Sequence, residues 1–436
     1  MRHIYTNLLL LGLIPLAACS NDDKSSPISP INEKTYTDSS GLELYYNGHL
    51  MPGKTVSFSQ DGDVAKITAY STFDLSRISG FGLSGQLPSP GIIPGSPQTT
   101  WNVSLENTGE YWEFSGNGEN EFCTYSYEGY ASPDKMKLYI SDSALKTGGI
   151  SPEAWKPAPI KKNNDGSYES LPVYADWRYE PLQDIDINLT PFMSAIMLTP
   201  VIPVYGNTAY MSITEAIYQT LKAIAFLPDG NVIFSYISST GGAYRLAQSY
   251  PNGYQYVVSS PGKIKLYVNP LSFFSFILQA TSGSTPESDV DLNASGLWPT
   301  GSASTTDNTS GIAEIKDILS SPIVQKILKN VIPEMIPFVS EGIPLAYSVN
   351  TTGINDSASE NLRIYVDTEM AVGILSSIIT PVLEDSDAIE AVKKYIGSNP
   401  ASAPLLPDLE KAITLLPAAI EHTTVFNFGL NLIPYN

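Results

Sequence analysis

Short segments in which apolar and polar residues alternate, separated by turn residues, constrain the fold of this chain most. Leu42–Tyr46 alternates, Asn47-Gly48 follows as a hairpin-turn signal, and Lys54–Phe58 alternates again. Similar segments continue as far as Ile140. Because alternation with a period of two places the apolar side chains on one face of a strand, we expect a small antiparallel β sandwich or barrel here.

One strand-like pattern occurs four times in the chain. Each copy has an apolar residue, a charged residue, Leu or Ile, and then Tyr, and it ends at Asn, Asp or Ser. The copies are Leu42–Asn47, Met136–Ser141, Ile264–Asn269 and Leu362–Asp367. The pattern fits either duplicated β units or simply the usual composition of half-buried strands. The uneven spacing between copies excludes a solenoid.

The second half of the chain adds helical patterns to further strands. Residues 148–170 are rich in proline and polar turn residues, which favours a linker. Beyond them the patterns predict a hairpin over Ala223–Ile237, paired strands at Leu345–Asn350 and Leu362–Asp367, and a final strand at Phe426–Leu432. Apolar residues at helical spacing predict helices over Ser212–Leu221, Met370–Leu383, Ser386–Ile396 and Pro407–Ile420.

The expected fold class is therefore α+β, with an N-terminal antiparallel β sandwich or barrel and a larger β domain decorated with helices. The expected divisions are a signal peptide at 1–18, a lipidated tether at 19–40, an N-terminal β domain at 41–147, a linker at 148–170 and a C-terminal α+β domain at 171–436. A length of 436 residues leaves ample room for two hydrophobic cores.

A short apolar run near the first residue leads to a cysteine that follows small residues. Leu8–Leu16 is shorter than a bilayer span and follows the positively charged Met1-Arg2-His3. Leu16-Ala17-Ala18-Cys19 resembles the lipobox of bacterial lipoproteins, in which the cysteine is acylated. The resemblance implies that Cys19 is lipidated and becomes the first mature residue. The alternative is an ordinary secretory signal with a chance cysteine.

The residues after the lipobox carry a second targeting signal. Position 20 is Ser20 rather than aspartate, so the inner-membrane retention pattern of diderm bacteria is absent. Asp22 and Asp23 resemble the short acidic export signal by which Bacteroidota send lipoproteins to the outer face of the outer membrane. The alternative is a tether that is simply polar. We expect a lipid-anchored outer-membrane protein exposed on the cell surface.

The formal net charge of −20 limits the partners of this chain. It argues against nucleic acid and against a polybasic contact with the membrane surface, so the acyl chains are expected to provide the membrane attachment. With Cys19 lipidated, Cys123 has no cysteine partner, and we expect no intrachain disulfide. The 26 tyrosines against 14 phenylalanines favour strands with one hydrated face.

Several turn and strand motifs, together with the lipobox, resemble those of an uncharacterised family of Bacteroides surface lipoproteins with a domain of unknown function. The motifs are Tyr46-Asn47-Gly48 with Gly53-Lys54-Thr55-Val56, the hairpin Phe226–Asn231, and Gly429–Ile433. The resemblance covers most of the mature chain. It implies a distant lipocalin-like, lipid-binding relationship and hence a calycin-like larger domain. The motifs are structural, so the resemblance implies no functional residue.

The sequence carries no catalytic or metal-binding signature. The mature chain has only His49 and His422 as histidines, and it has neither a Gly-x-Ser-x-Gly elbow nor a Cys/His cluster with zinc spacing. Asp289–Asn293 is similar to the start of a calcium loop, but Ala294 stands where that loop needs glycine. We expect no enzymatic activity, cofactor or metal. A glycosidase carboxylate pair stays open, because no motif selects a pair among 44 acidic residues.

Two ligand classes fit the remaining features. Apolar helices such as Leu271–Leu278 and Met370–Leu383 could cover a barrel mouth and admit an apolar or amphipathic molecule, with Phe273 and Phe276 as candidate contacts. Exposed tyrosines and tryptophans could instead bind sugar rings. Core packing, and with it a structural or interaction role, is the third alternative. We predict a non-enzymatic binding module for an apolar or amphipathic ligand; a large apolar cavity favours it, and a row of exposed coplanar rings favours glycans.

Overall fold

The computed structural model describes residues 29–74, 86–151, 153–180, 197–200, 202–203, 210–240, 243–249, 251–270, 338–350, 360–384, 386–398 and 406–435. Strands predominate in this part of the chain and helices are few. The protein is therefore more strongly β than the α+β expectation.

An N-terminal sandwich of two sheets contains the first strands. These are β1 (Glu33–Thr37), β2 (Leu42–Tyr46), β3 (His49–Leu50), β4 (Thr55–Asp61), β5 (Val64–Tyr70), β6 (Thr72–Asp74), β7 (Gln86–Pro88), β8 (Gln98–Ser104), β9 (Glu106–Asn107), β10 (Trp112–Glu119), β11 (Cys123–Ala131) and β12 (Met136–Leu145). The sheet orders are β1-β4-β5-β8 and β3-β2-β12-β11-β10-β9, and β6 pairs with β7. Burial alternates along β11 with the period of two that the sequence predicts, and Phe58, Ile67 and Leu138 are among the side chains buried in the core.

One pairing contradicts the expectation of a purely antiparallel domain. Strands β2 and β12 run parallel, with Leu42 opposite Met136 and Tyr45 opposite Tyr139. These strands are the first two copies of the recurrent pattern, so equal positions of the pattern lie side by side. Strands β4, β5 and β8 lie between them in the sequence and provide the long crossover that a parallel pair requires.

The other fourteen strands of the described residues form one ten-stranded sheet and two separate two-stranded sheets. These are β13 (Ala154–Pro157), β14 (Lys161–Lys162), β15 (Tyr168–Ser170), β16 (Val173–Tyr179), β17 (Ile202–Pro203), β18 (Tyr210–Met211), β19 (Leu221–Phe226), β20 (Val232–Thr240), β21 (Ala243–Gln248), β22 (Tyr254–Ser260), β23 (Lys263–Val268), β24 (Ile343–Val349), β25 (Leu362–Val366) and β26 (Thr423–Pro434). The ten-stranded sheet has the order β21-β20-β19-β13-β26-β25-β24-β23-β22, and β16 also pairs with β26. An isolated bridge between Asn231 and Gln255 links the start of β20 to β22, so the sheet is a nearly closed barrel.

The four helices predicted by the helical spacing of apolar residues are confirmed. They are α1 (Ile213–Thr220), α2 (Thr368–Leu383), α3 (Ser386–Ser398) and α4 (Leu406–Glu421). Helix α1 begins with a capping box, in which the Glu215 amide donates to Ser212 Oγ at 3.1 Å and the Ser212 amide donates to Glu215 Oε2 at 2.7 Å.

Helices α2 and α4 pack against the ten-stranded sheet near the start of β26. The buried cluster that joins them to the strands is formed by Trp177, Ala371, Ala412, Ala419, Ile420 and Phe426. Trp177 and Phe426 are paired across β16 and β26, and their rings meet edge to face with centroids 5.2 Å apart. The helical contributions are mostly alanines, which let the helix backbones come close to these rings.

The sandwich and the barrel are joined by a continuous hydrophobic cluster and by polar contacts to one turn, Pro228–Asn231. The Tyr46 hydroxyl donates to the Asp229 carbonyl oxygen at 2.7 Å, and Asn47 Nδ2 donates to the Asp229 carboxylate at 2.8 Å. The two parts therefore bury a shared interface.

Residues 148–170, interpreted from the sequence as a linker, contain a buried strand. Strand β13 lies between β19 and β26, and its Trp155 is 1% exposed. Strand β1 similarly lies within residues 19–40, which the sequence assigns to the tether, and pairs with β4. Strand β13 completes a sheet between strands that are distant in sequence, so the local composition does not reveal it, whereas β1 pairs with a strand nearby in the chain.

Candidate functional site

A partly open cavity of about 180 Å³ lies beside the point where β26 changes partner on one of its edges. Its lining combines charged, polar and apolar side chains from β15, β16, β25, β26 and the residues around α1. The lining residues are Tyr168, Glu169, Ser170, Leu171, Val173, Tyr174, Ala175, Met197, Leu198, Thr214, Arg363 and Asn431.

The edge of β26 is shared between two strands, and this division creates the cavity. Strand β16 pairs with β26 from Thr423 to Leu430, and β13 pairs with it from Leu432 to Pro434. Asn431 lies at the gap, where its Nδ2 donates to the Leu171 carbonyl oxygen at 3.0 Å. This buried amide therefore holds the chain before β16 against the edge of β26.

A glycine in β26 lets two tyrosine rings meet across the strand. Gly429 is paired with Tyr174 on one side and with Tyr365 on the other. A Cβ atom at position 429 would collide with the carbonyl oxygen of Ile364. With no side chain between them, the rings of Tyr174 and Tyr365 meet edge to face, with centroids 5.7 Å apart.

Arg363 is the cation of the cavity. It is paired with Asn431 in the sheet register, and its Nε donates to Asn431 Oδ1 at 2.9 Å. The guanidinium Cζ lies 3.7 Å from the centroid of the Tyr174 ring, a cation–π contact. These contacts fix the plane of the guanidinium group in the lining.

No carboxylate within the described ranges forms an ion pair with the Arg363 guanidinium. Asp176, on β16 at the far side of β26, is 3.1 Å from the guanidinium of Arg178, and Glu169 is 2.7 Å from Lys161 Nζ. Burial lowers the pKa of Arg363, and the hydroxyls of Tyr174 and Tyr365 and the charge of Asp176 oppose this shift. Arginine nevertheless stays protonated in proteins, so the cavity contains a half-buried positive charge.

Ser170 adds a second polar group to the lining. Its side chain is 2% exposed, and its Oγ has no hydrogen-bond partner among the described residues. Thr214 contrasts with it, because the Thr214 hydroxyl donates to the Met197 carbonyl oxygen at 2.9 Å. A buried hydroxyl without a partner costs free energy, so Ser170 Oγ could gain from a polar ligand atom.

The remaining lining is largely apolar and is provided by Leu171, Val173, Ala175, Met197 and Leu198. An engineered cavity of about 150 Å³ accepts benzene, so this cavity is large enough for a ring or a short alkyl chain. The arrangement suits a small amphipathic molecule whose polar end meets Arg363 and whose apolar part meets the aliphatic side chains.

The described lining of the cavity contains none of the residues singled out from the sequence. Cys19, Asp22, Asp23, Phe273 and Phe276 all lie outside the described residues. The Met370–Leu383 segment forms most of α2, but its buried residues pack against the sheet near the start of β26. Sequence reasoning missed Arg363, although it is the charged position of the fourth copy of the recurrent pattern.

A row of four half-buried tyrosines crosses the six-stranded sheet of the sandwich. Tyr45 and Tyr139 stack with centroids 5.0 Å apart and an interplanar angle of 12°, and Tyr139 has a side-chain hydrogen bond to Tyr130. The rings of Tyr130 and Tyr111 are also in contact, with centroids 5.2 Å apart and an interplanar angle of 57°. Because Tyr45 and Tyr139 each cover one face of the other, the row differs from a flat aromatic platform for sugar rings.

Two further properties concern the described part of the chain. It contains no group of three or more His, Cys, Asp or Glu side chains that could hold a metal ion. Among the same residues, no helix has both the length and the apolar character needed to cross a membrane.

No protein-family model, curated protein or solved structure matches this chain. The geometry of the cavity is therefore the basis for a functional proposal.

Proposed function

We propose that this protein is a non-enzymatic binding module, held at the outer membrane by acyl chains on Cys19 and exposed on the cell surface, that takes an amphipathic small molecule into the cavity beside Arg363. The observation that carries the proposal is the coincidence, around one opening, of aliphatic side chains with a cation and a hydroxyl that have, respectively, no ion-pair partner and no hydrogen-bond partner among the described residues.

The chemistry of the lining supports binding rather than catalysis. Among the described lining residues Glu169 is the one carboxylate, and that group is 2.7 Å from Lys161 Nζ. Glycoside hydrolysis of the usual kind needs a pair of carboxyl groups, which the described lining does not provide.

The near closure of the ten-stranded sheet supports a calycin-like relationship as part of this proposal. Phe273 and Phe276 remain candidate contacts for the apolar part of the ligand. Glycan binding is the less supported alternative, because the stacked rings of Tyr45 and Tyr139 partly cover each other.

A bulky side chain that fills the cavity is expected to weaken ligand binding. The mature chain, beginning at the lipidated Cys19 and held in detergent, should bind octanoate or octan-1-ol in calorimetric titrations. Leu171→Trp should weaken that binding about tenfold or more, because the larger ring occupies the space of the ligand.

The matched control for this experiment is Leu246→Trp. Leu246 is 65% exposed on β21, outside the cavity, so this substitution should leave binding unchanged. Failure of both ligands to bind the wild-type chain would contradict the proposed function, as would equal binding by Leu171→Trp and the wild type.

The lipid anchor predicts a simple change in membrane association. Cys19→Ser should leave a precursor that partitions into the aqueous phase of a detergent separation, whereas the wild type enters the detergent phase. Acyl chains contribute about 0.8 kcal/mol per buried methylene, so their loss removes the attachment. Identical partitioning of both proteins would show that Cys19 is not the anchor.

A further inference from the structure

We propose that the polar end of the ligand is a carboxylate, bound by the guanidinium of Arg363 and the hydroxyl of Ser170. This inference rests on the proposed function and names the chemical class of its ligand, a monocarboxylate with a short apolar part.

Arg363 is arranged as a receptor for an anion before any ligand arrives. Asn431 holds its Nε at 2.9 Å, and the ring of Tyr174 supports the guanidinium plane at 3.7 Å. A guanidinium group that is fixed in this way loses little conformational freedom on binding. No described carboxylate forms a direct ion pair with it, and the charge of Asp176 acts on it only from a distance, so a ligand anion would supply a contacting counter-charge.

Ser170 provides a donor that matches a second carboxylate oxygen. Its hydroxyl is buried in the lining and has no hydrogen-bond partner in the described part of the protein. A carboxylate accepts several hydrogen bonds, and bonds from charged donors are stronger than neutral ones. One ligand group would therefore satisfy both the cation and the orphaned hydroxyl.

The charge of the protein favours a monoanion over a dianion. The chain has a net charge of −20, and Glu169 also lies in the lining. Arg363 can compensate one negative charge, whereas the second charge of a phosphate monoester would be desolvated without a partner. A carboxylate fits these electrostatics better than a phosphate.

The test compares three ligands that share an eight-carbon chain, namely octanoate, octan-1-ol and octyl phosphate. In calorimetric titrations at pH 7 with the mature chain, octanoate should bind about 10- to 100-fold more tightly than octan-1-ol, because it adds charge-assisted hydrogen bonds. Octyl phosphate should bind more weakly than octanoate.

Two variants of Arg363 test whether its guanidinium causes the preference for octanoate over octan-1-ol. Arg363→Gln should reduce octanoate affinity to that of octan-1-ol and leave octan-1-ol binding unchanged, and Arg363→Lys should give an intermediate affinity because lysine lacks the planar fork. The matched control is Arg178→Gln, which removes an exposed guanidinium 3.1 Å from Asp176 and should keep octanoate binding within about twofold.

The outcomes separate this inference from the proposed function. Equal affinities of the wild type for octanoate and octan-1-ol, tighter binding of octyl phosphate, or unchanged octanoate binding by a folded Arg363→Gln would overturn the carboxylate inference alone. Binding of none of the three ligands would overturn both. If Arg363→Gln shows no cooperative melt, two other results test the carboxylate inference. These are the preference of the wild type for octanoate over octan-1-ol and the reduced octanoate affinity of Arg363→Lys.

Discussion

Replacing Trp155 with alanine is expected to lower the free energy of unfolding by about 3–5 kcal/mol, the usual cost of removing a buried aromatic side chain. Trp155 is 1% exposed, and its strand β13 is hydrogen-bonded between β19 and β26. The alanine variant would leave a cavity where the ten-stranded sheet meets the hydrophobic core. Urea unfolding of the wild type and the variant, followed by circular dichroism, measures the difference.

Two variants serve as controls for this result. Trp155→Phe should cost less, because it keeps most of the ring volume and removes an indole N–H that has no hydrogen-bond partner among the described residues. Tyr168→Ala removes a half-buried ring from the β14–β15 hairpin of the same segment and should have a smaller effect. A flexible linker predicts instead that Trp155→Ala changes stability by less than about 0.5 kcal/mol.

The strands and helices of this protein could largely be predicted from local patterns, whereas several of its pairings could not. Alternation along Cys123–Ala131 and helical spacing over Met370–Leu383 are properties of the segments themselves. Strand β13 has only four residues, including Pro157, and it is specified by partners far away in the sequence. The parallel pairing of β2 with β12 likewise depends on how the intervening strands fold.

The cavity beside Arg363 was even less predictable, because its key property is that no described carboxylate forms an ion pair with this arginine. The sequence shows that Arg363 alternates with apolar neighbours, which is typical of an exposed strand position. It does not show that Asn431 and Tyr174 cover the guanidinium or that no described carboxylate pairs with it. The Asn431 contact to Leu171 spans 260 residues, so no local signal specifies it.

A buried lysine in the sandwich gives the protein an unusual dependence of stability on pH. Lys54 is 3% exposed, and its Nζ donates to the carbonyl oxygens of Pro90 at 2.6 Å and Gly91 at 3.2 Å. Burial lowers the pKa of Lys54 from its ordinary 10.5 to about 7, and the charge of Asp38 opposes this shift only in part. The native protein therefore releases this proton near neutral pH.

The sign of the effect follows from the protons bound in each state. Between pH 7 and pH 10.5 the unfolded chain keeps the Lys54 proton and the native protein loses it, so stability rises with pH across this window. The slope from one proton approaches about 1.4 kcal/mol per pH unit. Above this range the trend reverses, because burial raises the pKa of Tyr36, Tyr256 and Tyr267 to about 12 and the native state then retains their protons.

Lys54→Met should remove this pH dependence. Between pH 7 and pH 9 the wild type should gain about 2 kcal/mol of stability relative to the variant, as measured by urea unfolding at each pH. Lys66→Met, which changes an exposed lysine on β5, should follow the wild-type curve. Parallel curves for Lys54→Met and the wild type would mean that Lys54 stays protonated in the native protein. In that case its two carbonyl partners hold a charged ammonium group, and the cost of burying it is offset within the sandwich.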